Sequence, residues 1–254
     1  MLKSYECRFR LRESIWKGVF MEKRELLYEG KAKKVFKTND PDLLIVDYKD
    51  DATAWNGEKK GTIPGKGAVN NRMTNYIFRI LEEKGIPTHY VQELSDRETV
   101  VKKVKILPLE VIVRNAAAGS FSKRLAVEEG LELLNPTVEF CYKDDRLGDP
   151  LIDASYMPAL GIASQTEMNK MVEYALTINE ILMPFLEEKK LRLVDFKLEF
   201  GRYMDQIILA DEISPDTCRL WDTETNDKMD KDRFRQDLGE VEEAYIEVAR
   251  RLGL

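Results

Sequence analysis

The stretch from Leu191 to Trp221 leaves this chain the fewest choices of fold. It begins Leu-Arg-Leu-Val-Asp-Phe-Lys-Leu-Glu-Phe-Gly, so that Val194, Phe196, Leu198 and Phe200 alternate with Asp195, Lys197 and Glu199. Successive residues of a strand point to opposite faces, so this pattern predicts a strand with one buried face and one charged face. Gly201 to Gln206 supplies a turn and Ile207 to Ala210 a return strand. With Met204 to Gln206 at the loop tip, Asp211 falls opposite Glu199, and directly opposed residues share a face. Converging carboxylates with no thiol or imidazole beside them suit a hard cation such as magnesium, which commonly also binds substrate phosphates. A charged hairpin exposed to water is the simpler reading of the hairpin alone. The continuation Ser214-Pro215-Asp216, with Arg219, weighs against it by adding a rigid turn and an anion receptor beside the carboxylates.

At 254 residues and 43% hydrophobic content the chain can build a sizeable core, in one large domain or two small ones. Charged residues make up 34% and the net charge is −6, which argues against nucleic-acid binding by bulk charge. No apolar run approaches the length of a membrane span. Cys7, Cys141 and Cys218 are odd in number and form no ligand motif, so a reducing cytoplasm is the simplest setting. The single histidine, His89, leaves little room for imidazole-based catalysis and reads as structural. Residues 1–20 carry Arg8, Arg10, Arg12 and Lys17 without the apolar core of a secretory signal. They read as an extension preceding Met21.

From Glu25 the chain predicts short strands at Glu25–Tyr28, Lys34–Thr38 and Leu43–Tyr48, with Gly30, Lys31, Ala32 and Lys33 in the first turn. A glycine and lysines at a hairpin tip can cover phosphates through backbone N–H groups and ammonium charge. Asp50–Gly57 and the basic, Gly-rich Lys59–Gly67 read as loops, the second a flap over an anionic substrate or a disordered segment. Ala68–Lys84 has the apolar spacing of a helix, closed by Gly85 and Pro87. Glu98–Lys105 and Leu109–Arg114 read as strands on which only one of Lys102 and Lys103 can face inward. Small residues after Arg114 lead into a helix at Phe121–Glu129 closed by Gly130, whose amino terminus beside Ser120, with Arg114 and Arg124, makes an anion site. Glu139–Tyr142 is strand-like and ends at Lys143, and Asp144–Pro158 reads as a loop. Ser164 and Glu167 form a capping box for a helix to about Lys189, which Pro184 should kink. Arg233 and Arg235 lie in a polar stretch before an amphipathic helix at Val241–Leu252.

These residues carry a family pattern. Ile106 to Arg114, with Ala118-Gly119-Ser120, resembles one signature of the SAICAR synthetase family, and Leu193 to Gly201 resembles the other. Tyr28 to Lys33, Asp211 to Asp216 and Asp230 to Arg235 are also similar to it, and the resemblance runs from about Leu26 to the carboxyl terminus. It implies ATP-driven joining of L-aspartate to the carboxylate of carboxyaminoimidazole ribonucleotide (CAIR), with magnesium. The implied fold is α+β, an amino-terminal antiparallel β lobe (21–107) and a larger α/β lobe (108–254), similar to ATP-grasp and kinase-like architectures with ATP in the cleft. A homodimer is implied, with neither nucleic acid nor membrane as a partner. Carried over by position, Gly30, Lys31, Ala32, Lys33, Lys103 and Lys143 would serve ATP. Glu199 and Asp211 would hold magnesium. Arg114, Ser120, Arg124 and Arg219 would hold the ribonucleotide, and Asp195, Lys197, Ser214 and Asp216 would line the reacting centre. A small-molecule kinase using Asp195 as base, or a nucleotide-binding regulator without chemistry, are the rival readings. A requirement for aspartate in ATP turnover separates them.

Overall fold

The computed structural model describes residues 21–254; the expected amino-terminal extension, residues 1–20, lies outside them. Strands β1 (Leu26–Glu29), β2 (Lys33–Lys37) and β3 (Leu43–Tyr48) follow one another. The hairpin β4 (Asp51–Ala54) and β5 (Lys59–Thr62) comes next, then helix α1 (Lys66–Glu83), β6 (Tyr90–Glu93) and β7 (Glu98–Lys102). An antiparallel sheet in the order β1-β2-β3-β7-β6 makes the smaller lobe. The larger one contains β8 (Lys105–Ile106), β9 (Leu109–Ala116), α2 (Gly119–Leu125), β10 (Glu132–Tyr142) and the short α3 (Tyr156–Ala159). It continues with α4 (Gln165–Glu187), β11 (Leu191–Tyr203), β12 (Gln206–Ala210), β13 (Cys218–Asp222), α5 (Asp232–Arg235) and α6 (Val241–Leu252). The fold is α+β with antiparallel sheets, and no helix among the described residues is long and apolar enough to cross a membrane.

β11 is the axis of the larger sheet. Its first half pairs with β13, its middle with β9 and its end with β12 and β8. β8 can approach so closely only because position 201 is glycine: a Cβ there would stand 2.6 Å from the Val104 side chain. The register against β13 shifts between Leu193 and Asp195. Leu193, Phe196, Leu198 and Phe200 therefore all reach the main core, whereas Val194 turns to a separate cluster with Ala116, Ala118 and Trp221. The alternation expected of Val194 with its neighbours is thus broken by a bulge, which adds one residue and bends the strand.

The β11–β12 hairpin is tighter by one residue than the sequence suggested. Tyr203 pairs with Gln206, with Met204 at positive φ in the turn, so Glu199 lies opposite Ala210 and not Asp211. Asp211 stands just past the strand at φ 58°, a left-handed conformation that turns the chain out of the ladder. The segments expected as loops at 50–57 and 59–67 form the β4–β5 ribbon and the first turn of α1. α2 ends at Ala126, in the left-handed conformation, ahead of Gly130. β10 begins at Glu132, seven positions before the expected Glu139, with a register break around Pro136. The capping box at Ser164 is present in both directions, α4 runs on past Pro184, and α6 spans Val241–Leu252 as expected.

α1 joins the lobes. Met73, Ile77, Phe78 and Leu81 on one side belong to the main core, with Met171, Ile178 and Leu182 of α4 and Val248 of α6. On another side Asn75 and Thr99 of β7 exchange hydrogen bonds, and Asn71 donates to the Ser95 and Asp96 carbonyls. Met21, Leu43, Ile45 and Val100 form the smaller lobe's own cluster.

Candidate active site

Between the lobes lies a cleft of about 1320 Å³, walled by the turn after β1, the β4–β5 ribbon, the polar faces of β9 and β11, and the segments 211–219 and 231–235. Its charged residues form three connected groups.

The first surrounds Glu199, which is only 2% exposed. Lys197 Nζ donates to Glu199 Oε1 at 2.6 Å, and Lys143 donates to Oε2. Lys33 donates to Asp211 Oδ1 at 2.5 Å and lies 2.8 Å from Glu212, while Lys197 lies 3.6 Å from Asp211 Oδ2 and 3.4 Å from Glu110. Burial alone would raise the Asp211 carboxyl, but Lys33, Lys197 and Lys143 outweigh it and hold it far below the usual carboxylate range. Burial likewise works against charge on Lys33 and Lys197, and their carboxylates overcome it: Asp211 and Glu212 for Lys33, Glu199, Asp211 and Glu110 for Lys197. Both ammonium groups are held well above the ordinary lysine range, so neither is a proton acceptor here.

The second group is built on Asp195, where β9, β11 and β13 meet. Arg114, 2% exposed, donates to Asp195 at 2.6 Å and to Ser120 at 3.3 Å. Arg219 grips the same carboxylate at 2.8 and 3.0 Å and donates to Asp232 at 2.7 Å, and Arg235 donates to Asp232 at 2.5 Å. Gly119, at φ +54°, leaves the space Arg219 fills: a Cβ there would stand 2.3 Å from the guanidinium. Two guanidinium groups thus converge on one carboxylate, Arg219 through a single nitrogen shared between both oxygens and Arg114 through one, and such charge-assisted contacts suit a planar oxyanion.

The third group lies at Asp216. Lys66, fully buried, donates to it at 2.9 Å, Tyr245 donates at 2.7 Å, and Lys231 stands 3.4 Å away. Burial would raise the Asp216 carboxyl, yet Lys231, Lys66 and the Tyr245 hydroxyl drive it far down. Lys231 is pushed below the ordinary lysine range, by burial first and by Arg235 and Lys66, with Asp216 opposing. Behind it, burial and the neighbouring Asp232 push the Asp230 carboxyl up to about 7.

The cleft gathers Gly30, Lys31, Ala32, Lys33, Arg114, Ser120, Lys143, Asp195, Lys197, Glu199, Asp211, Asp216 and Arg219. It does not gather Lys103, Arg124 or Ser214. Lys103 is exposed and does not line the cleft, and the inward position belongs to Lys102, which donates to the Thr88 carbonyl. Arg124 stands outside the cleft, its guanidinium donating to Glu139, which also receives Arg114 at 2.8 Å. Ser214 is buried in the wall, donating to Glu212 at 2.6 Å and accepting from the Asp216 N–H at 3.1 Å. Lys66, Glu110, Glu212, Lys231, Asp232 and Tyr245 complete the three groups without having been singled out for the site, and Arg235, expected near the site without a partner, stands against Asp232. Alternation along β9 was the one signal for Glu110; Lys66 sat hidden in a basic, Gly-rich run.

Among the described residues no group of three or more acidic, Cys or His side chains is placed as a cage for a metal ion. Glu199 and Asp211, linked through the Lys197 ammonium, are a pair of hard oxygen donors. A pair fits magnesium, which is ordinarily bound by one or two carboxylates completed by substrate phosphates and water.

The SAICAR synthetase family model matches residues 26–252. The phosphoribosylaminoimidazole-succinocarboxamide synthase of Lachnoclostridium phytofermentans is 65% identical over 234 residues, 92% of this chain and 100% of its own. The solved enzyme of that name from Ehrlichia chaffeensis superposes with a TM-score of 0.89 at 44% identity, covering 90% of this chain and 98% of that one. A SAICAR synthetase solved in complex with ADP gives 0.86 at 50% identity, covering 89% and 97%. This chain belongs to the SAICAR synthetase family.

Proposed function

We propose that the cleft between the lobes carries out the family reaction, the ATP-dependent joining of L-aspartate to CAIR to give SAICAR, ADP and phosphate. SAICAR synthetases are ligases of purine biosynthesis. One observation carries the assignment of the cleft: a lysine–carboxylate group around Glu199 shares a wall with a pair of arginines converging on Asp195. The first suits a nucleoside triphosphate, the second a phosphomonoester. The ADP complex of a relative at 50% identity supports a nucleotide in the cleft.

In this reading the sheet of the smaller lobe, the turn after β1 and Lys143 take the nucleotide. The turn Gly30–Lys33 covers its phosphates. Arg114, Ser120 and Arg219 hold the ribonucleotide through its phosphate. Asp195 keeps the two guanidinium planes in register, and Lys197 and Asp216 border the reacting carboxylate. Glu199 and Asp211 hold magnesium, which neutralises charge on the phosphates when bound. A carboxylate is a poor acyl donor. Its oxygen therefore attacks the γ-phosphorus, the bond to ADP breaks, and an acyl phosphate results. The aspartate amine then attacks the carbonyl carbon, loses a proton, and inorganic phosphate departs with its bridging oxygen. Such transfers need positioning and countercharge more than acid or base. A cleft of ammonium and guanidinium groups supplies both. The reduced, buried Cys141 and Cys218 are in keeping with a cytoplasmic setting, and we propose a homodimer.

The test is SAICAR formation from ATP, aspartate and CAIR, each omitted in turn. ADP release that does not require aspartate would favour a kinase. Positional isotope exchange in ATP with CAIR but without aspartate checks the acyl phosphate, and its absence argues for a concerted route.

A further inference from the structure

The carboxylates assigned to magnesium are already engaged. Glu199 Oε1 faces Lys197 at 2.6 Å and Oε2 faces Lys143; Asp211 Oδ1 faces Lys33 at 2.5 Å and Oδ2 faces Lys197 at 3.6 Å. All of their oxygens thus have an ammonium against them. Glu199 is 2% exposed, so water cannot easily take over from either lysine. We infer that Lys33, Lys143 and Lys197 act as placeholders for the cation, so that the site takes up a divalent metal only together with the nucleotide's phosphates; this rests on Glu199 and Asp211 being the metal ligands.

Displaced ammonium groups need a new partner. A bare dication entering between Glu199 and Asp211 must push Lys143 and Lys197 off their oxygens. Those cations would then stand close to the metal, where like charges repel. Glu212 and Glu110 can receive only part of that charge, since Glu212 already takes Lys33 at 2.8 Å and Glu110 lies 3.4 Å from Lys197. Phosphate oxygens change the balance. They give each ammonium a new partner at the moment it leaves a carboxylate, and they complete the metal's own shell. Metal and nucleotide are then coupled ligands, and each raises the affinity of the other by the same factor. Lys143 is the most exposed of the placeholders, its side chain being 40% accessible against 24% for Lys197 and 11% for Lys33. It is the one to leave first.

Manganese, read by electron paramagnetic resonance, tests this without turnover. For the parent protein we expect free Mn²⁺ to bind at least about tenfold more weakly without ADP than with it, a coupling of ordinary size. Lys143→Met, which removes one placeholder at the cleft mouth, should tighten nucleotide-free Mn²⁺ binding about tenfold and narrow the gap. Circular dichroism confirms that the variant is folded, and Lys143→Gln repeats the measurement with a polar side chain. Equal Mn²⁺ affinity with and without ADP in the parent overturns the proposal, as does an unchanged nucleotide-free affinity in both Lys143 variants. Glu199→Gln separates the two readings. If it leaves Mn²⁺ binding in the presence of ADP intact, the ligand assignment itself is wrong. If it weakens that binding while the parent still binds bare Mn²⁺ tightly, only the placeholder role fails.

Discussion

Glu199 is held on both oxygens by lysines, and Glu199→Gln keeps its size while removing the charge that orders them. Turnover should fall by about 100-fold or more, the usual loss when one charge-stabilising group is removed from a reacting centre. Steady-state kinetics with each substrate varied checks this, and near-parental turnover would remove Glu199 from the machinery. Gly119 is a second sensitive point. Alanine there must adopt φ +54° and place its Cβ 2.3 Å from Arg219. The backbone alone costs about 1 kcal/mol. The displaced guanidinium should raise the KM for the ribonucleotide and leave that for ATP nearly alone, a split that purely global destabilisation would not produce. Residues such as Glu199 and Lys197 were legible because strand alternation isolates a charge on an otherwise apolar element. Lys66 and Tyr245 were not, because each sits on an ordinary helix and acquires meaning only through Asp216, 150 and 29 positions away.

At the level of elements the long helices declared themselves. α6 shows the 3.6-residue spacing along its length, and α4 is opened by a Ser-x-x-Glu box that the structure forms in both directions. Ser164→Ala removes the hydroxyl that accepts from the Glu167 N–H, and Glu167 also receives Arg202 at 3.0 Å. The loss should be about 1 kcal/mol, or roughly 2–4 °C in Tm for a domain of this size. Differential scanning calorimetry reads it, and an unchanged Tm would mean that the Arg202–Glu167 pair alone holds the helix start. Elements whose stability comes from distant partners were missed. The β4–β5 ribbon lacks any apolar alternation in Lys-Lys-Gly-Thr, and is fastened by Lys59 donating to the Phe234 carbonyl at 2.6 Å. The hairpin register slipped by one because the turn residues Met204 and Asp205 carry no glycine to mark the tip.

For the molecule as a whole, His89 provides a built-in gauge of acid stability. Burial, with Lys33 and Lys102 adding and Asp211 opposing, lowers its pKa from the ordinary 6.5 to about 3, and its ring packs against Phe78 at 5.5 Å. The folded value lies below the unfolded one. This histidine therefore causes no loss of stability above about pH 6.5, and an increasing loss as the unfolded chain alone takes up a proton between there and about pH 3. The slope from this one group should be about 1.4 kcal/mol per pH unit inside that window. It should be missing in His89→Gln, measured by urea unfolding at several pH values. Equal slopes would mean that His89 titrates normally, which its imidazole NMR signals would show directly in the untagged protein, as the chain has 1 histidine.

α1 gives the molecule a mechanical character. A beam tied down on two sides resists hinging: Lys66 and Thr74 anchor it to Asp216 and the Ile213 carbonyl on one side, and Asn71 and Asn75 to the β7 region on the other. We expect these anchors to keep the jaws of the cleft at one gape and to leave traffic of substrates to the thin β4–β5 ribbon, whose exposed Trp55 sits at its tip. Small-angle scattering should give the same radius of gyration with and without ADP, while amide exchange should slow on ligand binding in residues 51–62. A clear compaction in the scattering would show that the beam gives way. If it does not, release of product is paced by a dozen residues of ribbon, and changes there should alter throughput while leaving the chemistry beneath untouched.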